Sequence, residues 1–241
     1  VDGVQWDSRF LNVYAPIISA DGAHVAAEVR TGNCEYTAAQ DQAAWEGRFG
    51  MVWEPVYRPD GKGLLVPAKV GGQWTVAENG KALWNGRYFQ LWRLRVAPDG
   101  RGVAAVVAPT YGRWTIAVDD KPWGRTFGDA VLAPVFSADG RRTAAAVRDK
   151  GAWTIAVDGK AWPSDYDMVW DPVFSPDGKV AAAKVEKNGR YRLAFDGRTW
   201  DPEFELLWDP VFSPEGDKVL VRCVQDGKYH RRVVPLARIL G

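Results

Sequence analysis

The chain has 241 residues, 46% hydrophobic and 25% charged, enough apolar matter for a sizeable core and too much for wholesale disorder. Its 31 basic and 30 acidic residues leave a net charge of +1, so no one-signed field draws it to nucleic acid or anionic lipid. No apolar run approaches the roughly 18 residues of a membrane span, and two cysteines are too few for a disulfide framework.

In chain order, the opening segment Val1-Asp2-Gly3-Val4-Gln5-Trp6 matches Val157-Asp158-Gly159-Lys160-Ala161-Trp162 further along, so it reads as the close of a repeat rather than its start. A turn then recurs as SADG (19–22), RPDG (58–61), APDG (97–100), SADG (137–140), SPDG (175–178) and SPEG (213–216). Its glycines are spaced by 39, 39, 40, 38 and 38 residues, six copies filling the chain. All 13 tryptophans fall on this period. A first series is Trp6, Trp45, Trp84, Trp123, Trp162 and Trp200. A second precedes the turn as Tyr14, Trp53, Trp92, Leu132, Trp170 and Trp208, and a third follows it as Tyr36, Trp74, Trp114, Trp153, Tyr191 and Tyr229.

Each copy reads as short strands. In the fourth, 133–137 enters the turn at Ala138-Asp139-Gly140, and 143–147 follows. After a break at Asp149-Lys150-Gly151, residues 153–157 alternate, with Trp153, Ile155 and Val157 on one face and Thr154 and Ala156 on the other. Asp158-Gly159 then turns into a short strand at Trp162. Four strands per roughly 39 residues, six times over, predict an all-β, six-bladed β-propeller forming one domain over 1–241. The sixth copy stops before a last strand, so residues 1–10 are expected to complete the blade begun by 207–236 and close the ring.

Chemistry is sparse. His24 and His230 lack the clustered partners of a metal site. Cys34 and Cys223 fit free thiols better than a pair, and neither haem-attachment nor cluster spacing occurs. Asp21, Asp60, Asp99, Asp139 and Asp177 precede turn glycines, where Asp bonds its own backbone. No nucleophile elbow, P-loop or dinucleotide fingerprint is present. The reading is a non-enzyme without metal or cofactor.

Surfaces remain. The unbroken first series reads as blade packing. The second tolerates Tyr14 and Leu132, so Trp53, Trp92, Trp170 and Trp208 are the candidates for partner binding. Glu54, Arg93, Asp171 and Asp209 follow them and are candidates for the mouth of a channel, although Ala15 and Ala133 interrupt the charge. A propeller stacking sugars or a small ligand on repeated tryptophans is the alternative. The residues after the first series (Asp7, Glu46, Asn85, Gly124, Pro163, Asp201) vary too much for six matched sites.

The stretch Ser175–Lys179 before a small-residue strand resembles the WD40-like Pro-Asp repeats of TolB-type propellers, over the whole chain. The tryptophans around W-[DE]-P-V-[FY] (53–57, 170–174, 208–212) resemble the tryptophan-rich D subunit of the Tmc transmembrane redox complex of sulfate-reducing bacteria. That resemblance implies a non-catalytic accessory subunit of an electron-transfer complex of sulfate respiration, its partners being redox subunits. The expected location is the cytoplasm, at a membrane only through those partners, with a removed signal peptide left open.

Overall fold

The computed structural model describes residues 5–241, and every structural statement below concerns these. Six antiparallel sheets follow one another along the chain. Sheet one is built from Asn12–Ile18, Val25–Gly32, Glu35–Gln40 and the two-residue outer strand Ala43–Ala44, in that spatial order. Sheets two to five repeat the pattern, closing on Lys81–Ala82, Lys121–Pro122, Lys160–Ala161 and Arg198–Thr199. A five-residue helix, Leu236–Leu240, ends the chain.

The chain divides into two compact units. The first runs to Val96 and includes Gly100–Tyr111 and Ala117–Pro122; the second takes Ala97–Asp99, Gly112–Ile116 and Trp123–Gly241. Within the first, Ala26 and Ala38 of sheet one pack on Val52, Leu64, Val66 and Ala68 of sheet two. Leu65 and Val76 on the other face of sheet two pack on Leu91, Val103, Ala105 and Val107. The second unit does the same: Ala181 and Ala183 meet sheet four, while Ala182, Leu193 and Phe195 meet Val219, Val221 and Cys223 of sheet six. Both faces of these sheets are buried, so strands such as Ala181-Ala182-Ala183 are small and apolar throughout rather than alternating.

First-series tryptophans sit in these layers. Trp84 and Trp162 are buried, and Trp45 and Trp200 pack against the clusters beside them. Trp45, Trp123 and Trp162 each lie against a turn glycine of the next sheet, Gly80, Gly159 and Gly197. The outer hairpin turn Asp158-Gly159 has φ of 49° and 81°, the pair a type I′ turn needs. A Cβ on Gly159 would stand 3.1 Å from the Cβ of Trp123.

The Pro-Asp-Gly turn is held by its own side chains. Ser175 Oγ donates to Asp177 Oδ1 at 2.6 Å, the same oxygen accepts from Lys179 N at 3.1 Å, and Val180 N donates to Ser175 Oγ at 3.0 Å. The fourth copy repeats this with Ser137, Asp139 and Arg141. Arginines then tie turn to turn: Arg142 bonds Asp158 Oδ2 at 3.0 Å and the carbonyls of Gly178 and Lys179 at 3.0 and 2.8 Å. In the first unit Arg58 does likewise with Glu78 Oε2 at 2.9 Å and Gly100 O at 2.6 Å.

Sheet six departs from the pattern. Its first strand is split into Leu206–Leu207 and Val211–Phe212, as the first strands of sheets two, four and five are, and Lys218–Gln225 and Lys228–Pro235 follow, but there is no outer strand among the described residues. The expected closing strand is not seen: residues 5–10 carry no strand, and Trp6 and Phe10 pack on Ala27, Val29 and Ala39 of sheet one. Val1–Val4, the rest of that segment, lie outside the described residues.

Candidate functional site

The second aromatic series marks a break in the first strand of every sheet. Trp53 N donates to Pro67 O at 3.0 Å, Trp170 N to Lys184 O at 3.1 Å and Trp208 N to Arg222 O at 3.0 Å, after which the strand leaves its partner for two or three residues. In sheets one and three the same break is a register shift after Tyr14 and after Trp92. Pro55, Pro172 and Pro210 suit it because proline has no N–H to pair. Leu94 takes that place in sheet three and the shift persists, so the proline accommodates the break rather than causing it. Ala15, Glu54 and Arg93 take it up with φ of 43°, 29° and 55°.

This break re-aims the aromatic outward. Trp53 and Trp208 are 40% and 41% exposed, and Trp92 and Trp170 are half-buried. Each exposed ring is braced by the third series across the same sheet. Trp53 lies 4.5 Å from Trp74, Trp170 lies 5.7 Å from Tyr191, and Trp208 meets Tyr229 edge-on at 5.6 Å, centroid to centroid. Lys184 Nζ sits 4.0 Å over the Trp170 ring and 3.5 Å from Asp209 Oδ1.

Asp209 is therefore the one candidate channel-mouth residue with an ionic partner. Glu54, Arg93 and Asp171 are exposed and have no side-chain hydrogen bond or ion pair among the described residues. What the sequence reading passed over is the middle-strand residue opposite each second-series position: Glu28, Pro67, Val106, Ala146, Lys184 and Arg222. A charge inside an otherwise small apolar strand was the available signal. Burial pushes Glu28 up to about 7, and Arg222 Nε is buried without a hydrogen-bond partner.

The remaining polar groups serve the frame. His24 Nδ1 lies 2.6 Å from Asp41 Oδ2, in the place Arg142 takes beside Asp158. Cys34 is exposed, Cys223 is buried, and both are free. Among the described residues no three His, Cys, Asp or Glu side chains gather as metal ligands, and no helix is long and apolar enough to cross a membrane.

No protein-family profile matches the chain, and no curated protein does. Solved structures do. A eukaryotic initiation factor matches with a TM-score of 0.54 at 11% identity, over 95% of this chain and 64% of that one. The β-propeller domain of the trilobed protease from Pyrococcus furiosus matches at 0.51 and 13%, over 95% and 83%. TolB from Acinetobacter baumannii is 18% identical at a TM-score of 0.43, over 78% of this chain, which spans about half (53%) of that TolB. At these identities the likeness shows the fold alone. With the six consecutive sheets, the fold is that of a β-propeller.

Proposed function

We propose that this propeller is a non-catalytic protein-interaction module, and that it meets its partner with the aromatics of the strand break, Trp53, Trp92, Trp170 and Trp208. One observation carries the reading: half-exposed rings are held in fixed pairs, Trp53 on Trp74, Trp170 on Tyr191 and Trp208 on Tyr229. A ring already immobilised by a neighbour gives up little rotamer freedom on docking, so more of its buried area appears as affinity. The finer reading is an accessory subunit of an electron-transfer complex, bound to its redox subunits, and it rests on the resemblance in the tryptophan-rich W-[DE]-P-V-[FY] stretches. Purification from the source at native expression, followed by mass spectrometry, tests both. Stable co-elution of a partner supports the module, haem- or cluster-bearing partners support the finer reading, and recovery of the chain alone refutes both.

A further inference from the structure

Between sheets five and six the protein encloses an ammonium of its own. Lys184 Nζ lies 4.0 Å over the Trp170 ring and 3.5 Å from Asp209 Oδ1, with the lysine side chain only 13% exposed. Trp170 stands opposite Lys184 across the sheet, and Tyr191 braces its ring from 5.7 Å. Aromatic faces and one carboxylate together hold this cation.

Sheets one and two build the same layer with the charge reversed. Glu28 holds the position of Lys184: Tyr14 lies opposite it on the first strand and Ala38 on the third, as Trp170 and Leu193 lie opposite Lys184. The stacking is equivalent too. Val52 shares an apolar cluster with Ala26 and Ala38, and Leu207 shares one with Ala182 and Leu193. Two residues beyond Val52 and Leu207 come Glu54 and Asp209. One layer therefore sets a lysine against an aspartate, and the other has two glutamates. Glu28 and Glu54 make no side-chain hydrogen bond or ion pair among the described residues. Arg30, two residues along the strand from Glu28, donates instead to Gly32 O at 3.0 Å. Burial lifts the Glu28 carboxyl to about 7, and the Tyr14 ring opposite it is 41% exposed. Pro67, Val106 and Ala146 carry no charge at this position, and Glu28 is its one acid.

We propose that sheets one and two receive a lysine side chain of the docking partner, its ammonium between Glu28 and Glu54 and its aliphatic stem on the Tyr14 ring. Two observations argue the occupant. The carboxylates complement a cation, and the same places around sheet five already enclose a lysine. A lysine suits the site because its stem can lie along a ring while its head reaches the acids. The proposal rests on the docking reading and adds the chemistry of the partner's residue.

The probe is Nα-acetyl-lysine methylamide, titrated into the isotope-labelled chain at fixed ionic strength and pH 8, beside its uncharged Nε-acetyl counterpart. The amine should cause saturable amide shifts at Tyr14, Glu28 and Glu54, and the acetylated probe none. Glu28→Gln should weaken amine binding on the order of tenfold. No saturable shift at these residues, equal binding of the two probes, or unchanged affinity in Glu28→Gln overturns the proposal. Partner recovery separates it from the docking reading. Loss with Trp53→Ala/Trp170→Ala/Trp208→Ala but none with Glu28→Gln keeps docking and overturns the lysine contact. Loss with Glu28→Gln alone keeps the contact and overturns the tryptophan surface.

Discussion

Ser213 Oγ donates to Asp217 Oδ1 at 2.9 Å, whereas in the preceding copy Ser175 Oγ donates to Asp177 Oδ1. The sixth turn reads SPEG, and its acid at the expected place, Glu215, has no part in that bond. The carboxylate's task has moved two residues along, and the turn glycine keeps its φ of 75°. Asp217→Ala should therefore lower the melting temperature, and Glu215→Ala should leave it unchanged. Equal effects would mean the serine–carboxylate bond does not shape this turn.

The same bonds set the acid limit. Ser175 Oγ, followed by the Lys179 N–H, holds the Asp177 carboxyl down to about 2, and Asp21, Asp139 and Asp217 are lowered by the equivalent serines. An acid bound more weakly by protons when folded stabilises the fold above its ordinary value of 3.8, and the contribution disappears as pH falls from there towards 2. Thermal melts should lose stability across that window, and less steeply in a Ser137→Ala/Ser175→Ala chain.

Glu28 runs the other way. Burial lifts it from 4.5 to about 7, so the folded state binds its proton more tightly than the unfolded chain does. The resulting penalty grows as pH rises from 4.5 to about 7 and is complete above that. Glu28→Gln should raise stability at pH 8 by about 1–2 kcal/mol, discounted for solvent screening, and change little at pH 4. Melts at the two pH values compare them; a loss of stability at pH 8 would contradict this account of Glu28.

Two glycines separate strain from contact. Gly151 and Gly159 have φ of 84° and 81°, but a Cβ on Gly151 meets nothing within 4 Å, whereas on Gly159 it presses on Trp123. Gly151→Ala should cost about 1 kcal/mol through backbone conformation alone. Gly159→Ala should cost about 1–3 kcal/mol more through the clash. Chemical denaturation measures the difference, and equal costs would remove the tryptophan–turn contact from the account.

Much of this fold was legible because its determinants recur at one spacing. The turn glycines, Trp123 with its layer-mates and the hairpins such as Asp158-Gly159 all answer to a period of about 39 residues. The arginine ties were not, because Arg58 stands before its Pro-Asp-Gly and Arg142 after its Ala-Asp-Gly, and only the folded turns bring them to equivalent carbonyls. Nor was the strand break: positive φ at Glu54 and Arg93 follows from register with the neighbouring strand, which no residue type announces. For the candidate site, exposure of Trp53 and Trp208 was readable from the tolerance of their series for Tyr14 and Leu132. Lys184 over Trp170 was not: a charge among alanines marks the position, but which ring it covers follows from the register of the folded strands.

The most direct measurement is partner recovery from the source by the parent chain and by a Trp53→Ala/Trp170→Ala/Trp208→Ala chain, compared at matched concentration and with both melts recorded. These rings are braced at the surface rather than enclosed, so the variant should keep a cooperative melt. It should bind at least tenfold more weakly, as the loss of central aromatic anchors does. Equal recovery by the two chains would contradict the claim that the strand-break aromatics form the docking surface.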